Sequence, residues 1–348
     1  MITPPPNAFS TTPSANEQKA WCEGALTRLG TDDTAPMAAW LRDHLFGHML
    51  PFRERHAFDE KGGLFTCVSD AGEILGPEKW LWSQWRAVWL FSRIYGSLDR
   101  DERWLRHARH IAGFCLRNGW DAKADGWALV VSRDGNILRG YESIYVDAFA
   151  IYGPAELYKA SGDEKMLLFA RRTADAALRK LAQPYDRIPH FPYPIPSGAK
   201  PHGIPMLWSF TLAELGAASC DRRHLDAAET LAEEIFRDFH RAKRELILEL
   251  VRLDSGEFTA PAGTAVVPGQ VIESRWFQLH VASRLEPNGD RTNHVYSAIL
   301  RHLALGWDAE NGGGIRLAVD ADGEEPVGWG YADSKLWWPL VPHFQRDK

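Results

Sequence analysis

The 348-residue sequence predicts one all-α domain, an α/α toroid with short β-hairpins at one end of the barrel. Two observations predict it. Apolar residues recur at i, i+3 and i+4 through most of the chain, with Gly or Pro at the breaks, which is helical periodicity. A hairpin-like motif also recurs, as "GGLFTCVSDAG" at 62–72, "DGWALVVSRDG" at 125–135 and "GGIRLAVDADG" at 313–323. Each copy has Gly, then alternating apolar residues, then Asp with Gly close behind, the pattern of a tight turn between short strands. From Gly63 to Gly126 is 63 residues and from Gly126 to Gly314 is 188, close to three such steps. A repeat of that size holds two helices and a loop.

Taken in order, residues 1–16 read as a flexible leader, and 17–348 as the domain. Helices are expected near 36–50, 77–98, 101–118, 140–161, 163–182, 202–218, 222–241, 268–284, 290–305 and 329–339. Inner helices of a toroid are apolar nearly all round and outer ones amphipathic. Pro154 marks a kink site within "YESIYVDAFAIYGPAELYKASGD". The segment 183–205, "QPYDRIPHFPYPIPSGAKPHGIP", holds too much Pro for helix or strand and is expected to be an ordered loop over the barrel mouth. "LDSGEFTAPAG" at 253–263 reads as a weaker fourth copy of the hairpin motif.

Composition narrows the function. The formal net charge is −6 with acids and bases interspersed, so neither a nucleic-acid footprint nor a polybasic membrane patch is expected. No apolar run is long enough to span a bilayer, and the N-terminus lacks the charged and apolar regions of a signal peptide. A cytoplasmic protein is the expectation. Cys22, Cys67, Cys115 and Cys220 are scattered and read as reduced packing residues. Fifteen Trp stand against five Met, a density that suits core packing and sugar-lined sites equally. None of the 13 His pairs in a metal motif, and neither metal nor cofactor is expected. His107 and His110 lie in "RHARHIAG" and read as a solvated face.

Two stretches carry chemistry. In "KWLWSQWRAVWLFSRIY" (79–95), Arg86 has Trp82 at i−4 and Trp89 at i+3. A guanidinium among aromatics is costly to bury unless paired or needed, so Arg86 is either stacked and ion-paired or holds an anionic oxygen. In "PGQVIESRW" (268–276), Gln270 and Glu273 share one face of a helix start, with Pro268 in its first turn.

Six stretches in order make the chain resemble the N-acylglucosamine 2-epimerase family: "GGLFTCVSDAGEI", "KWLWSQWRAVWLFSRIY", "SIYVDAFAIYGPAELYKASGD", "PGQVIESRWF", "GWDAENGGG" and "DSKLWWP". The resemblance implies an (α/α)6 barrel, here with its last helix pair incomplete. It also implies C2 proton transfer on an opened aldose through an enediolate, without a cofactor. Arg86 would steady the oxyanion, Glu273 matches the family's Glu, and Trp82, Trp276 and Trp338 would bind the sugar. Gln270 stands where the family has a catalytic His, and Pro342 where it has a Glu. A second catalytic His has no counterpart, since the context of His343 differs. A homodimer across the open barrel is expected. The alternatives are a sugar-binding or regulatory homologue without turnover, and a glycoside hydrolase on the same toroid. The hydrolase would draw two carboxylates from Glu142, Asp147 and Glu273.

Overall fold

A computed structural model describes residues 35–259, 262–285, 289–326 and 328–336. Trp338, Pro342, His343, the expected leader and the expected open end of the barrel lie outside the described residues. The architecture is that of an (α/α)6 toroid. Its helices are α1 (Ala35–His44), α2 (Leu50–His56), α3 (Leu81–Ser97), α4 (Arg103–Asn118), α5 (Ile144–Ser161), α6 (Glu164–Leu181), α7 (Gly203–Ser219), α8 (Arg222–Glu234), α9 (Pro268–Arg284) and α10 (Gly289–Gly306). A π-turn at Leu45–Met49 joins α1 to α2, so the first expected helix runs six residues past its expected end. The tenth expected helix is absent from its described part. Residues 328–336 form turns whose carbonyls at Ala332 and Ser334 accept from Ala318 and Leu317. Gly328, at φ 88, opens that segment in a conformation a helix does not use.

Helices α3, α5, α7 and α9 are the inner layer, each packed on the next, with α4, α6, α8 and α10 outside them. The division follows from the sequence. Along α7, "GIPMLWSFTLAELGAAS", every residue from Gly203 to Gly216 except Leu207 is buried, whereas α4 buries one stripe, Trp104, Leu105, Ala108, Ile111, Ala112 and Cys115. Three apolar clusters fill the space between the layers, centred on Trp85 and Trp104, on Trp208 and Ile151, and on Phe239 and Val271. Among the described residues, no helix is long and apolar enough to cross a membrane.

The hairpins sit where the repeat predicts. Antiparallel pairs Trp120–Asp121 with Gly126–Trp127 and His240–Arg241 with Leu246–Ile247 follow outer helices α4 and α8, the bridge Trp307–Ile315 follows α10, and the bridge Phe58–Leu64 follows α2. A second, tighter turn follows each, closed by Gly72 N–H to Ser69, Gly135 N–H to Ser132, Ser255 N–H to Arg252 and Gly323 N–H to Asp320. The residues at these turns have φ of 90, 90, 70 and 88°. The fourth copy is therefore Glu245–Ser255, "ELILELVRLDS", and not 253–263 as the composition of that stretch suggested. Ser255 holds the left-handed position that Gly fills elsewhere, which hid the match.

Helices α3, α7 and α9 each begin just after a short strand paired at this end, and α5 follows Ile137–Arg139, which pairs with Val130–Val131. Lys79–Trp80 pairs with Val130–Val131, Ala199–Pro201 with Leu250–Arg252, and Ala265–Val266 with Val319–Asp320. All four inner helices consequently start at the hairpin end and present their N-termini there. The partial positive charge of those ends favours an anion in the mouth.

Candidate active site

The barrel interior is built in layers, because successive turns of each inner helix contribute one residue every three or four positions. At the mouth lie Trp82 of α3, Tyr145 of α5, Gly203 of α7 and Gln270 of α9. A Cβ on Gly203 would stand 2.5 Å from the Tyr145 hydroxyl and 3.1 Å from Gln270 Nε2, so both side chains converge over that glycine. One turn deeper are Arg86, Phe149 and Glu273. Below them Trp89 stacks on Tyr152 at 4.9 Å, Tyr152 meets Phe210 at 5.5 Å, and Phe210 meets Trp276 at 5.8 Å and Phe277 at 4.4 Å. An ion network closes the bottom: Arg93 with Glu156, Lys159 with Glu156 and Glu214, and Glu214 with His280 and Arg284.

Arg86 carries its guanidinium 3.9 Å over the Phe149 ring. The expected partners Trp82 and Trp89 are occupied otherwise. Trp82 stacks on Trp80 at 5.5 Å and lies 5.8 Å from Phe191 of the Pro-rich loop. Arg86 keeps contact with solvent while protein crowds it from most directions, as befits a side chain standing in a cleft. Crowding lowers its pKa and the charge of Glu273 opposes that. Among the described residues, neither Arg86 nor Glu273 has an ion-pair partner within 4.0 Å. Burial pushes Glu273 up to about 7, with Arg86 pulling the other way. A carboxyl balanced near neutrality can both take and return a proton.

Gln270 is not idle. Its Nε2 donates to both oxygens of Glu249, at 3.1 and 3.3 Å. Burial pushes Glu249 up to about 8, and the Gln270 hydrogen bond only partly offsets it. On the other side of Gly203, the Tyr145 hydroxyl lies 2.6 Å from His190 Nε2, and His190 Nδ1 lies 2.6 Å from the Tyr193 carbonyl. A carbonyl can only accept, so Nδ1 carries the hydrogen and Nε2 accepts from Tyr145. The expected loop reaches the mouth through residues 190–193, which contact Tyr145, Trp82 and, through Tyr193, Trp329 at 5.5 Å, but the end of the segment is strand Ala199–Pro201 and the start of α7 instead of loop.

Trp276, expected to bind the sugar, lies in the aromatic floor a turn below Glu273, flanked by Phe210, Phe277 and His280. Other expectations are corrected. Asp147, a hydrolase candidate, is fully buried, accepts from Trp127 N–H and pairs with Lys180 at 3.2 Å. Glu142 pairs with Arg139. His107 and His110 are not a solvated face: they bond Glu54 at 2.7 Å and the Asp59 carbonyl at 2.8 Å, and His107 packs 4.3 Å from Phe58. A surface hollow bounded by Gly198, Arg252, Leu253, Asp254 and Phe258 lies among the turns of the hairpin end and holds none of these groups. Among the described residues, no group of three His, Cys, Asp or Glu is arranged to hold a metal.

Residues 63–344 match the family model described as N-acylglucosamine 2-epimerase (GlcNAc 2-epimerase). The chain belongs to the N-acylglucosamine 2-epimerase family. By that membership it is a carbohydrate epimerase in class. It is 28% identical over 290 residues to the N-acylglucosamine 2-epimerase of Bos taurus, covering 82% of this chain and 68% of that one. The human protein of the same name is 27% identical over 301 residues, covering 84% and 69%. A cellobiose 2-epimerase of Ruminococcus albus is 31% identical over 137 residues, 39% of this chain and 35% of that one. In structure the chain is similar to cellobiose 2-epimerase from Bacillus thermoamylovorans B4167, with TM-score 0.75, 16% identity, and 88% and 80% of the chains covered. It is similar also to a D-mannose isomerase, with TM-score 0.70, 17% identity, and 85% and 76% covered. Those likenesses establish the fold.

Phe149, Tyr152, Tyr145, His190, Gly203 and Glu249 were not among the residues expected from sequence. Tyr145, Phe149 and Tyr152 stand at i, i+4 and i+7, a face "IYVDAFAIY" displays openly. Glu249 had a quieter signal. At its place in the hairpin repeat the other copies carry Thr66, Leu129 and Leu317, all uncharged.

Proposed function

We propose that this chain acts at C2 of a small reducing sugar, opened to its aldose form, through an enediolate and without a cofactor. Arg86 holds the oxygen that becomes anionic, and Glu273 takes the proton from C2. The observation that carries this reading is the placement of Glu273 and Arg86 in one layer of the barrel, near enough for each charge to act on the other, with neither locked in an ion pair among the described residues. Oxygen charge develops during the step, so a cation already set in a crowded cleft stabilises the enediolate more than the neutral aldehyde. Trp82 and Phe191 at the mouth and the aromatic floor offer faces for the apolar side of a sugar. Names of the relatives suggest the panel to try: N-acetylglucosamine, cellobiose and mannose, with glucose added as the simplest aldose.

The test is solvent deuterium at C2, followed by proton NMR with each sugar. Wild type should wash label into C2 and form the epimer or ketose, and Arg86→Met should lower the rate by about 10²–10³-fold, the scale for one oxyanion donor. Saturable tryptophan quenching without exchange or product would instead establish the second reading, a sugar-binding homologue. Gln270 favours that one, because an amide cannot exchange a proton at neutral pH.

A further inference from the structure

Buried carboxylates in this protein are nearly always matched to cations. Asp59, Asp147, Glu156, Glu214, Asp238 and Asp308 each pair with Lys or Arg. Among the described residues two are exceptions: Asp320, which is met by the Thr264 hydroxyl and backbone N–H groups, and Glu249, which lies beside the mouth. Glu249 is 8% exposed, and the Gln270 amide is its only side-chain hydrogen-bond partner among the described residues. Its backbone is fixed at both ends, N–H to the Ala265 carbonyl at 3.0 Å and C=O from the His202 N–H at 2.9 Å. Those two bonds anchor the Glu249 backbone to the segments that lead into α7 and α9. A buried, cation-free carboxyl at a repeat position that elsewhere holds Thr or Leu is expensive to keep for structure alone.

We propose that Glu249 is the second proton-transferring residue of this site, delivering a proton to C2 on the face opposite Glu273. The inference rests on the sugar C2 reading above. The two carboxyls enter from different elements: Glu273 from α9 beside Arg86, and Glu249 from the bend between Leu246–Ile247 and Leu250–Arg252, near Tyr145 and hydrogen-bonded to Gln270. In the step, the Glu273 carboxylate takes the C2 proton. The C2–H electron pair becomes the C1=C2 bond, and the carbonyl pair moves onto O1, facing Arg86. In return, the O1 pair re-forms the carbonyl, and the C1=C2 pair takes the carboxyl proton of Glu249 from the other side. Glu273 ends protonated and Glu249 ionised, its new charge met by the Gln270 amide. The reverse conversion, or exchange with water, resets both. Burial raises both carboxyls above the ordinary glutamate range, so each can hold a proton near neutral pH.

Inversion and exchange separate under this scheme. Removing the opposite-face donor leaves Glu273 able to take a proton and hand back a deuteron on the same face. Glu249→Gln keeps the shape and a hydrogen bond to Gln270. It should lower epimer formation at least 100-fold while C2 deuterium wash-in stays within a few-fold of wild type, with sugar quenching and the circular dichroism spectrum unchanged. In Glu249→Gln/Gln270→His, an imidazole at the adjacent position should recover part of the inversion. Epimer formation by Glu249→Gln near the wild-type rate overturns the proposal. So does a parallel fall of inversion and wash-in, which would mark Glu249 as a positioning residue. A wild-type protein that binds sugar yet gives neither exchange nor epimer overturns the underlying sugar C2 reading, and the role of Glu249 with it.

Discussion

A carboxyl that has to be neutral at one moment and charged at the next cannot have a lysine beside it, and Glu249 and Glu273 are kept apart from the lysines that bind the other buried acids. The arrangement has a stability consequence whose sign is fixed. Glu249 in the folded chain stays protonated up to about pH 8, against roughly 4.5 for an ordinary glutamate. Between those values the folded state binds a proton that the unfolded state has released, so stability falls as pH rises through that window. Glu249→Gln should therefore be more stable than wild type at pH 8, by a few kcal/mol, with the gap closing near pH 4.5. Urea titrations at both pH values check it, and a variant weaker at pH 8 would mean the carboxyl is held by something other than Gln270. The same two groups shape the rate. Turnover should rise through about pH 7 as Glu273 ionises and fall through about pH 8 as Glu249 loses its proton, a narrow bell. At this scale the sequence was half legible. Arg86, Gln270 and Glu273 announce themselves because they interrupt helical patterns at fixed spacing. Glu249 sits in "LILELV", where a single charge among apolar residues becomes visible only when the repeat is aligned from Glu245.

Elements were more legible than contacts, because periodicity is a local property while packing is not. The boundaries of α5, α6 and α9 fall within four residues of expectation, and the hairpin turns recur at Gly72, Gly135 and Gly323. What periodicity leaves open is how closely two helices approach. Gly153 on α5 faces the backbone of α3: a Cβ there would stand 2.6 Å from the Trp85 carbonyl oxygen. Alanine gains about 1 kcal/mol of helix propensity over glycine, but forcing a crossing apart costs about 1–3 kcal/mol. Gly153→Ala should be destabilising on balance, and a higher unfolding midpoint in urea would show that the crossing yields. The first hairpin is held by a different device. Asp59 takes Lys79 at 2.8 Å and Arg133 at 2.9 Å. Burial alone would raise its pKa, yet those hydrogen bonds hold it at about 2. Lys79 is itself pushed down by burial, so the pair contributes less than the Asp59 shift suggests. Asp59→Ala would strand a fully buried ammonium, and about 3–5 kcal/mol of stability should go with it.

Across the whole molecule the barrel is a stack in which polarity alternates: a polar mouth, the Arg86 and Glu273 pair, an aromatic floor, then the ion network at the base. The base ties all four inner helices, with Arg93 on α3, Glu156 and Lys159 on α5, Glu214 on α7, and His280 and Arg284 on α9. Sequence could not show this layering, since it needs the rotation of four helices about their own axes at once. Glu214 is its hub. Burial would raise its pKa, but hydrogen bonds from His280 and Lys159 overcome that and hold the carboxyl far below the ordinary glutamate range. A depressed carboxyl contributes its full stabilisation above the unfolded value of about 4.5 and loses it as pH falls toward the folded one. Glu214→Gln leaves Lys159 still paired to Glu156 at 2.6 Å, so the cost at pH 7 should sit at the low end for a broken buried pair, about 3 kcal/mol. The difference from wild type should stay constant down to about pH 4.5 and narrow below it, because there the unfolded wild-type chain binds a proton at Glu214 that the folded chain does not. Trp89 and Trp276 lie in the layer directly above, so their emission should shift toward that of a wetter environment in the variant. A loss under 1 kcal/mol at pH 7 with unchanged emission would mean the four helices are held by the aromatic floor and the outer layer alone, and that the network merely occupies the base.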